Sequence, residues 1–113
     1  LGGPVRGITQ AVVGPAAVEM LGRLRVDVAL LGANGFSVEH GFSTPDPNEA
    51  AVKRAMVACA REVMVLCDAS KHGVDHLVRF AGLDDVDTLV TDRALSGSGE
   101  RELRAAGLRV EVV

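Results

Sequence analysis

The sequence predicts an α/β domain built on a mostly parallel, Rossmann-like sheet with helices on both faces. Three observations predict it. Two nearly unbroken aliphatic runs, Val26-Asp27-Val28-Ala29-Leu30-Leu31 and Val63-Met64-Val65-Leu66-Cys67, have the pattern of buried parallel strands. The segment between them places Val52, Ala55, Met56, Cys59, Ala60 and Val63 at spacings of three and four, one apolar helix stripe, opposite Lys53, Arg54, Arg61 and Glu62. The 113 residues are 48% hydrophobic but only 3% aromatic, with no Trp or Tyr, so Val, Leu, Ala and Met must fill a single core.

In chain order, the Gly-rich stretch 1–13, with Val5, Ile8, Val12 and Val13, reads as a short strand and a turn running into a helix. The chain begins at Leu1 without Met, on what reads as the end of a strand, which suggests a fragment. Gly14-Pro15 opens a helix to about residue 24, because Pro at the first helical position gives up only an N–H that would be unpaired anyway. The strand from Val26 is expected to be central and to break into a turn at Gly32-Ala33-Asn34-Gly35. Residues 35–46 read as a long polar loop containing Pro45, either a lid over a crevice or a static surface loop.

Asp46-Pro47-Asn48-Glu49 then supplies an N-cap, a first-position Pro and a Glu three residues beyond the cap, so a helix starts there. After the second strand, Asp68-Ala69-Ser70-Lys71 closes it; 77–80 reads as a short strand, and Thr88-Leu89-Val90 as a core strand ending in Thr91-Asp92. A last helix is expected over 100–106 with Gly107 as its cap, followed by a terminal strand over 109–113. Alternating strands and helices imply parallel pairing through right-handed crossovers.

The net charge of −3 provides no electrostatic footprint for DNA, since non-specific binding rests on Lys and Arg neutralising phosphates. Cys59 and Cys67 lie in apolar surroundings without metal-ligand spacing, which suits buried reduced thiols and the cytoplasm. No apolar run approaches the ~18 residues of a membrane span, so no membrane partner is expected.

In an open α/β sheet, ligands bind outside the carboxyl ends of the strands. Three strand ends carry polar or Gly-rich signals: Gly32-Ala33-Asn34-Gly35, Asp68 to Lys71, and Thr91-Asp92-Arg93. The first is either a plain tight turn or a set of backbone N–H groups open to a phosphate. Lys71 is a candidate point charge for an anion. Glu49 reads first as a capping partner, with a pocket role second. His72 and His76 are four apart, yet Gly73 argues against a shared helix face and no third metal ligand is evident; His40 reads as an exposed loop residue. No cofactor motif occurs, neither a P-loop nor Gly-x-Gly-x-x-Gly, and no Gly-x-Ser-x-Gly hydrolase elbow.

Taken together, the succession 26–35, then 39–44, then Glu49-Ala50-Ala51-Val52-Lys53-Arg54-Ala55-Met56, then Leu66-Cys67-Asp68-Ala69-Ser70-Lys71, then Val86-Asp87-Thr88-Leu89-Val90-Thr91-Asp92 closely resembles the DeoR-family sensor domain, along nearly the whole chain. The resemblance implies a repressor of carbohydrate catabolism genes, acting as a homo-oligomer. Its sensor binds a phosphorylated sugar effector and loosens an N-terminal helix-turn-helix from operator DNA. It also implies that 1–113 is the C-terminal part of the sensor, without the DNA-binding head and without the first portion that carries a Gly-Thr-Thr-type phosphate loop. The implied effector-binding residues are Gly32, Ala33, Asn34, Gly35, Glu49, Lys53, Asp68, Lys71 and Asp92.

That fold is similar in turn to ribose-5-phosphate isomerase, which makes a sugar-phosphate isomerase the alternative. Where the isomerase carries an Asp-Gly-Ala-Asp type loop, this chain has Leu31-Gly32-Ala33-Asn34, and the isomerase's helix Glu falls on or near Lys53. Proton transfer between adjacent carbons needs a titrating group within hydrogen-bond reach. The expectation is therefore a sensor and not an enzyme.

Overall fold

A computed structural model describes residues 14–113, so the strand and turn expected over 1–13 lie outside the described residues. In chain order the elements are α1 (Pro15–Leu21), β1 (Val26–Gly32), β2 (Gly35–Ser37), β3 (Gly41–Thr44), α2 (Pro47–Cys59), β4 (Ala60–Leu66), β5 (Val78–Ala81), β6 (Thr88–Thr91), α3 (Gly99–Ala105) and β7 (Arg109–Val112). Short 3-10 turns at Ala69–Lys71 and Leu83–Asp85 follow β4 and β5. Strands β1-β4-β6-β7 form one sheet in that order, every pair parallel, as the α/β reading requires.

The sheet is sided. Leu31, Val65, Leu89 and Val110 are partners across the four strands and are all buried, in one cluster with Ala50 of α2 and Leu103 of α3. The crossovers from β1 through α2 to β4 and from β6 through α3 to β7 advance the same way across the sheet, so a common hand sets both helices on one face. Helix α1 packs onto α2 through Ala17, Leu21, Val52 and Cys59 and adds nothing to the other face. There Val28, Leu30 and Leu66 are exposed: Leu30 at 60%, beside Leu31 at 4%. β1, expected as a central strand, is thus an edge strand bare on one side among the described residues.

Helix α2 starts where its capping sequence says, with Asp46 Oδ1 accepting the N–H groups of Asn48 and Glu49 at 2.7 and 3.2 Å. It stops at Cys59, because Ala60 turns to extended backbone and opens β4 three residues before the expected strand. Arg61 and Glu62, expected on the helix, therefore lie on a strand. α1 is also shorter than expected, ending at Leu21 as the chain turns through Gly22 and Arg23.

The largest departure is residues 35–46, which are neither a lid nor an open polar loop. β2 and β3 form a hairpin, and β3 pairs with β5 in a second, antiparallel sheet. Every residue of β2 and β3 is buried. Phe36, Phe42 and Phe80 supply its core, with ring centroids 5.9 and 6.5 Å apart. The two buried serines are bonded internally, Ser37 accepting the His40 N–H and donating to Asp75 and Ser43 accepting the His76 N–H, whereas the buried Thr44 hydroxyl has no partner among the described residues. Gly35 and Gly41 are required, since a Cβ would run into the Val74 carbonyl at the first and the Ala81 carbonyl at the second, where φ is also +78°.

Candidate effector site

The carboxyl ends of β1, β4 and β6 meet along one edge of the main sheet, and the loops leaving them are tied together. Cys67 N–H donates to the Val90 carbonyl at 3.0 Å, continuing the β4–β6 pairing past the strand. Asp92 Oδ1 accepts the Ala69 N–H at 2.8 Å, so the acid ending β6 holds the turn that carries Ser70 and Lys71. Cys67 Sγ donates to the Ala33 carbonyl at 3.3 Å, fastening β4 to β1. Cys67, Asp68, Thr91 and Asp92 line a depression of about 300 Å³ here. A larger cavity of about 540 Å³ between α2 and β5 is lined by none of the strand-end residues. The larger cavity carries Arg54, Arg79 and Asp85, and the strand ends are the candidate because ligands of open α/β sheets bind outside the carboxyl ends of the strands.

Lys53 is expected on the polar face of α2 and is implied as an effector residue by the resemblance; its Nζ donates to the Gly32 carbonyl at 2.6 Å and lies 5.1 Å from the Phe80 ring centroid. Burial lowers its pKa, against the opposing pull of Glu49 one turn earlier on the helix. Cys67 shows the complementary effect: burial, reinforced by the Asp68 charge, pushes its thiol up to about 11. Both cysteines are free and buried, as expected.

Asp68 is exposed and held below the usual carboxylate range, first by a hydrogen bond from the Ser70 hydroxyl, with Lys71 and Arg93 adding to it. The described strand ends thus present an ionised carboxylate, a second carboxylate engaged with backbone, and cations from α2, the β4 turn and β6.

Among the nine expected effector residues, the structure joins Gly32 to Lys53, Lys53 to the Glu49 charge and Asp68 to the Lys71 charge, while Asp92 bonds the backbone of Ala69, which is not one of the nine. Asn34 and Gly35 are placed differently from a phosphate cradle. The Asn34 N–H is engaged by the Ser43 carbonyl at 3.1 Å, its carbonyl accepts from His76 Nε2 at 3.1 Å, and Gly35 is buried in β2. His40 is half-buried, donating through Nε2 to the His76 carbonyl at 2.8 Å. His72 stacks on Phe36 instead of pairing with His76 on a helix. Arg93 was noted at a strand end but not assigned to the site. Nothing in local sequence says that Asp92 would hook the neighbouring turn or that Phe80 would lie beneath Lys53, because both contacts join residues more than twenty positions apart.

These features define a small α/β domain with a shallow depression at the carboxyl ends of its parallel strands. Residues 1–93 match the family model described as the DeoR C terminal sensor domain. The chain belongs to that family. It is 38% identical over 109 residues to the HTH-type transcriptional regulator GlpR of Haloferax volcanii, covering 96% of this chain and 43% of that protein. It is 37% identical over 93 residues to the HTH-type transcriptional repressor GlcR of Bacillus subtilis, with 82% and 36% covered. It is 30% identical over 91 residues to the glycerol-3-phosphate regulon repressor of Escherichia coli, with 80% and 36% covered. The chain therefore spans about two fifths of the length of the curated relatives it matches. No helix among the described residues is long and apolar enough to cross a membrane.

Proposed function

We propose that this chain is the C-terminal part of the effector-sensing domain of a DeoR-type transcriptional repressor. In this reading the strand-end crevice takes a phosphorylated sugar, and operator DNA is gripped by a helix-turn-helix outside these residues, in a cytoplasmic homo-oligomer. The observation that carries the proposal is a lysine at the carboxyl ends of the parallel strands. Lys71 stands on a turn whose Ala69 N–H is held by Asp92, placed to offer a point charge to an anion, and Asp68, which opens the same turn, has its pKa lowered.

The same observation disfavours the isomerase. A general base works best with a pKa near the working pH, and the Asp68 pKa moves away from it. Asp92 supports backbone, and the resemblance puts Asn34, and Lys53 or a residue near it, where the isomerase carries acids. Binding regulates only if the effector prefers one of two arrangements of the repressor.

The test is thermal denaturation of the full-length regulator with a panel of phosphosugars. A hundredfold excess over Kd stabilises by about 2.7 kcal/mol, a readily measured rise in Tm. Lys71→Ala should erase it, since a charge-assisted hydrogen bond is worth about 1.5–3 kcal/mol. Failure of every phosphorylated metabolite to stabilise the protein contradicts the proposal.

A further inference from the structure

The cavity of about 540 Å³ between α2 and β5 shares no lining residue with the strand-end depression. Val57 of α2 and Ala81 of β5 give it apolar walls, and Arg54, Arg79 and Asp85 supply its charges. The two arginines are brought to it by a contact between their neighbours in sequence. Lys53 Nζ lies 5.1 Å from the Phe80 ring centroid, so Arg54 on the helix and Arg79 on the strand flank one point of the α2–β5 interface. Arg79 is placed further by Gly82, where a Cβ would stand 3.9 Å from Arg79 Nη1. The guanidinium therefore lies beside the strand end that this glycine leaves bare.

Neither arginine is spoken for. Asp85 Oδ2 accepts the Gly82 N–H at 2.9 Å, and Asp84 also lies against Gly82, yet neither carboxylate forms an ion pair with Arg79. Among the described residues the guanidinium groups of Arg54 and Arg79 have no hydrogen bond or ion pair at all. Each guanidinium presents a planar fork that matches oxyanion oxygens two at a time. A carboxylate has two oxygens, which one fork occupies, whereas a phosphate group has enough to meet both forks together.

We propose that the cavity between α2 and β5 is a second phosphate-binding site, in which Arg54 and Arg79 grip one phosphate group. It goes beyond the strand-end reading and does not depend on it, because Lys71 has no part in this cavity.

The experiment is calorimetric titration of the full-length regulator carrying K71A, which removes the strand-end lysine, with orthophosphate and with glucose 6-phosphate. It is repeated with R54Q, R79Q and R79K added. Orthophosphate should bind K71A as it binds this site in the wild type, R54Q and R79Q should each weaken it about tenfold or more, and R79K should retain part of the affinity because it keeps the charge and loses the fork. Tighter binding of glucose 6-phosphate points to a phosphate ester as the occupant, and tighter binding of orthophosphate to the free ion. Loss of all saturable binding below about 10 mM in K71A, or binding unchanged by both R54Q and R79Q, overturns the inference. Neither result touches the strand-end proposal, which is decided by Lys71 in the otherwise wild-type protein.

Discussion

Cys67 and Lys53 share a region of low polarity, and burial drives them in opposite senses. Because the folded Cys67 pKa, about 11, lies above the ordinary value of 9.0, the thiol's contribution is fully present below pH 9 and is lost as pH rises toward 11. Lys53, lowered from 10.5, works the other way: its buried charge opposes folding at neutral pH, and that cost shrinks as pH rises. Comparing wild type with Cys67→Ala isolates the thiol. Urea titrations should show the wild type losing more stability than the variant between pH 9 and 11. Near pH 8, iodoacetamide should label Cys67 only after unfolding, because the thiolate is the reactive form. Removing the Lys53 ammonium by Lys53→Met forfeits the Gly32 hydrogen bond and the Phe80 contact but also relieves the desolvation of the charge, so equilibrium denaturation at neutral pH should change by less than about 1 kcal/mol. Cys67 was legible in the sequence because an apolar strand announces a buried thiol. The Lys53 contacts were not, because Gly32 and Phe80 lie more than twenty positions away in sequence.

At the scale of elements, what is local in sequence was legible. Asp46, Pro47 and Glu49 stand within four residues, so the start of α2 follows from chemistry that needs no tertiary partner. Asp46→Ala should cost about 1 kcal/mol, read from the urea midpoint. The hairpin is the contrary case. β2 spans three residues and β3 four, too short for a recognisable alternation, and much of their support comes from 72–81. The Gly73 N–H donates to the Phe36 carbonyl at 2.8 Å, and the His76 N–H to Ser43 Oγ at 2.9 Å. Serines that look like solvent-facing loop residues are buried once those partners are in place. Gly35→Ala and Gly41→Ala should each destabilise by about 2 kcal/mol or more, the scale of a clash in a closed site, whereas Gly97→Ala, where nothing lies near the added Cβ, should cost less despite its positive φ. Parallel measurements of Tm on the three variants check the order.

Among the described residues, the helices cover one face of the main sheet and leave Val28, Leu30 and Leu66 exposed on the other, and the consequence alternates residue by residue along β1. Leu31→Ala should cost about 2–5 kcal/mol, the range for a buried leucine, while Leu30→Ala in this chain should stay within about 0.5 kcal/mol. The aliphatic run foretold a parallel strand but not this asymmetry, since the continuous apolar pattern assumes cover on both sides. In the proposed reading, the crevice on the edge where that sheet ends, with Asp92 engaged by backbone and the Asp68 pKa lowered, serves binding without turnover. The most direct test is a 31P and 13C NMR titration of the full-length regulator with labelled phosphosugars. The account predicts that at least one phosphate resonance shifts on binding, that Lys71→Ala abolishes the shift, and that the sugar carbons show no aldose-ketose conversion. Phosphate resonances that ignore the protein, or sugars that isomerise in its presence, would contradict it.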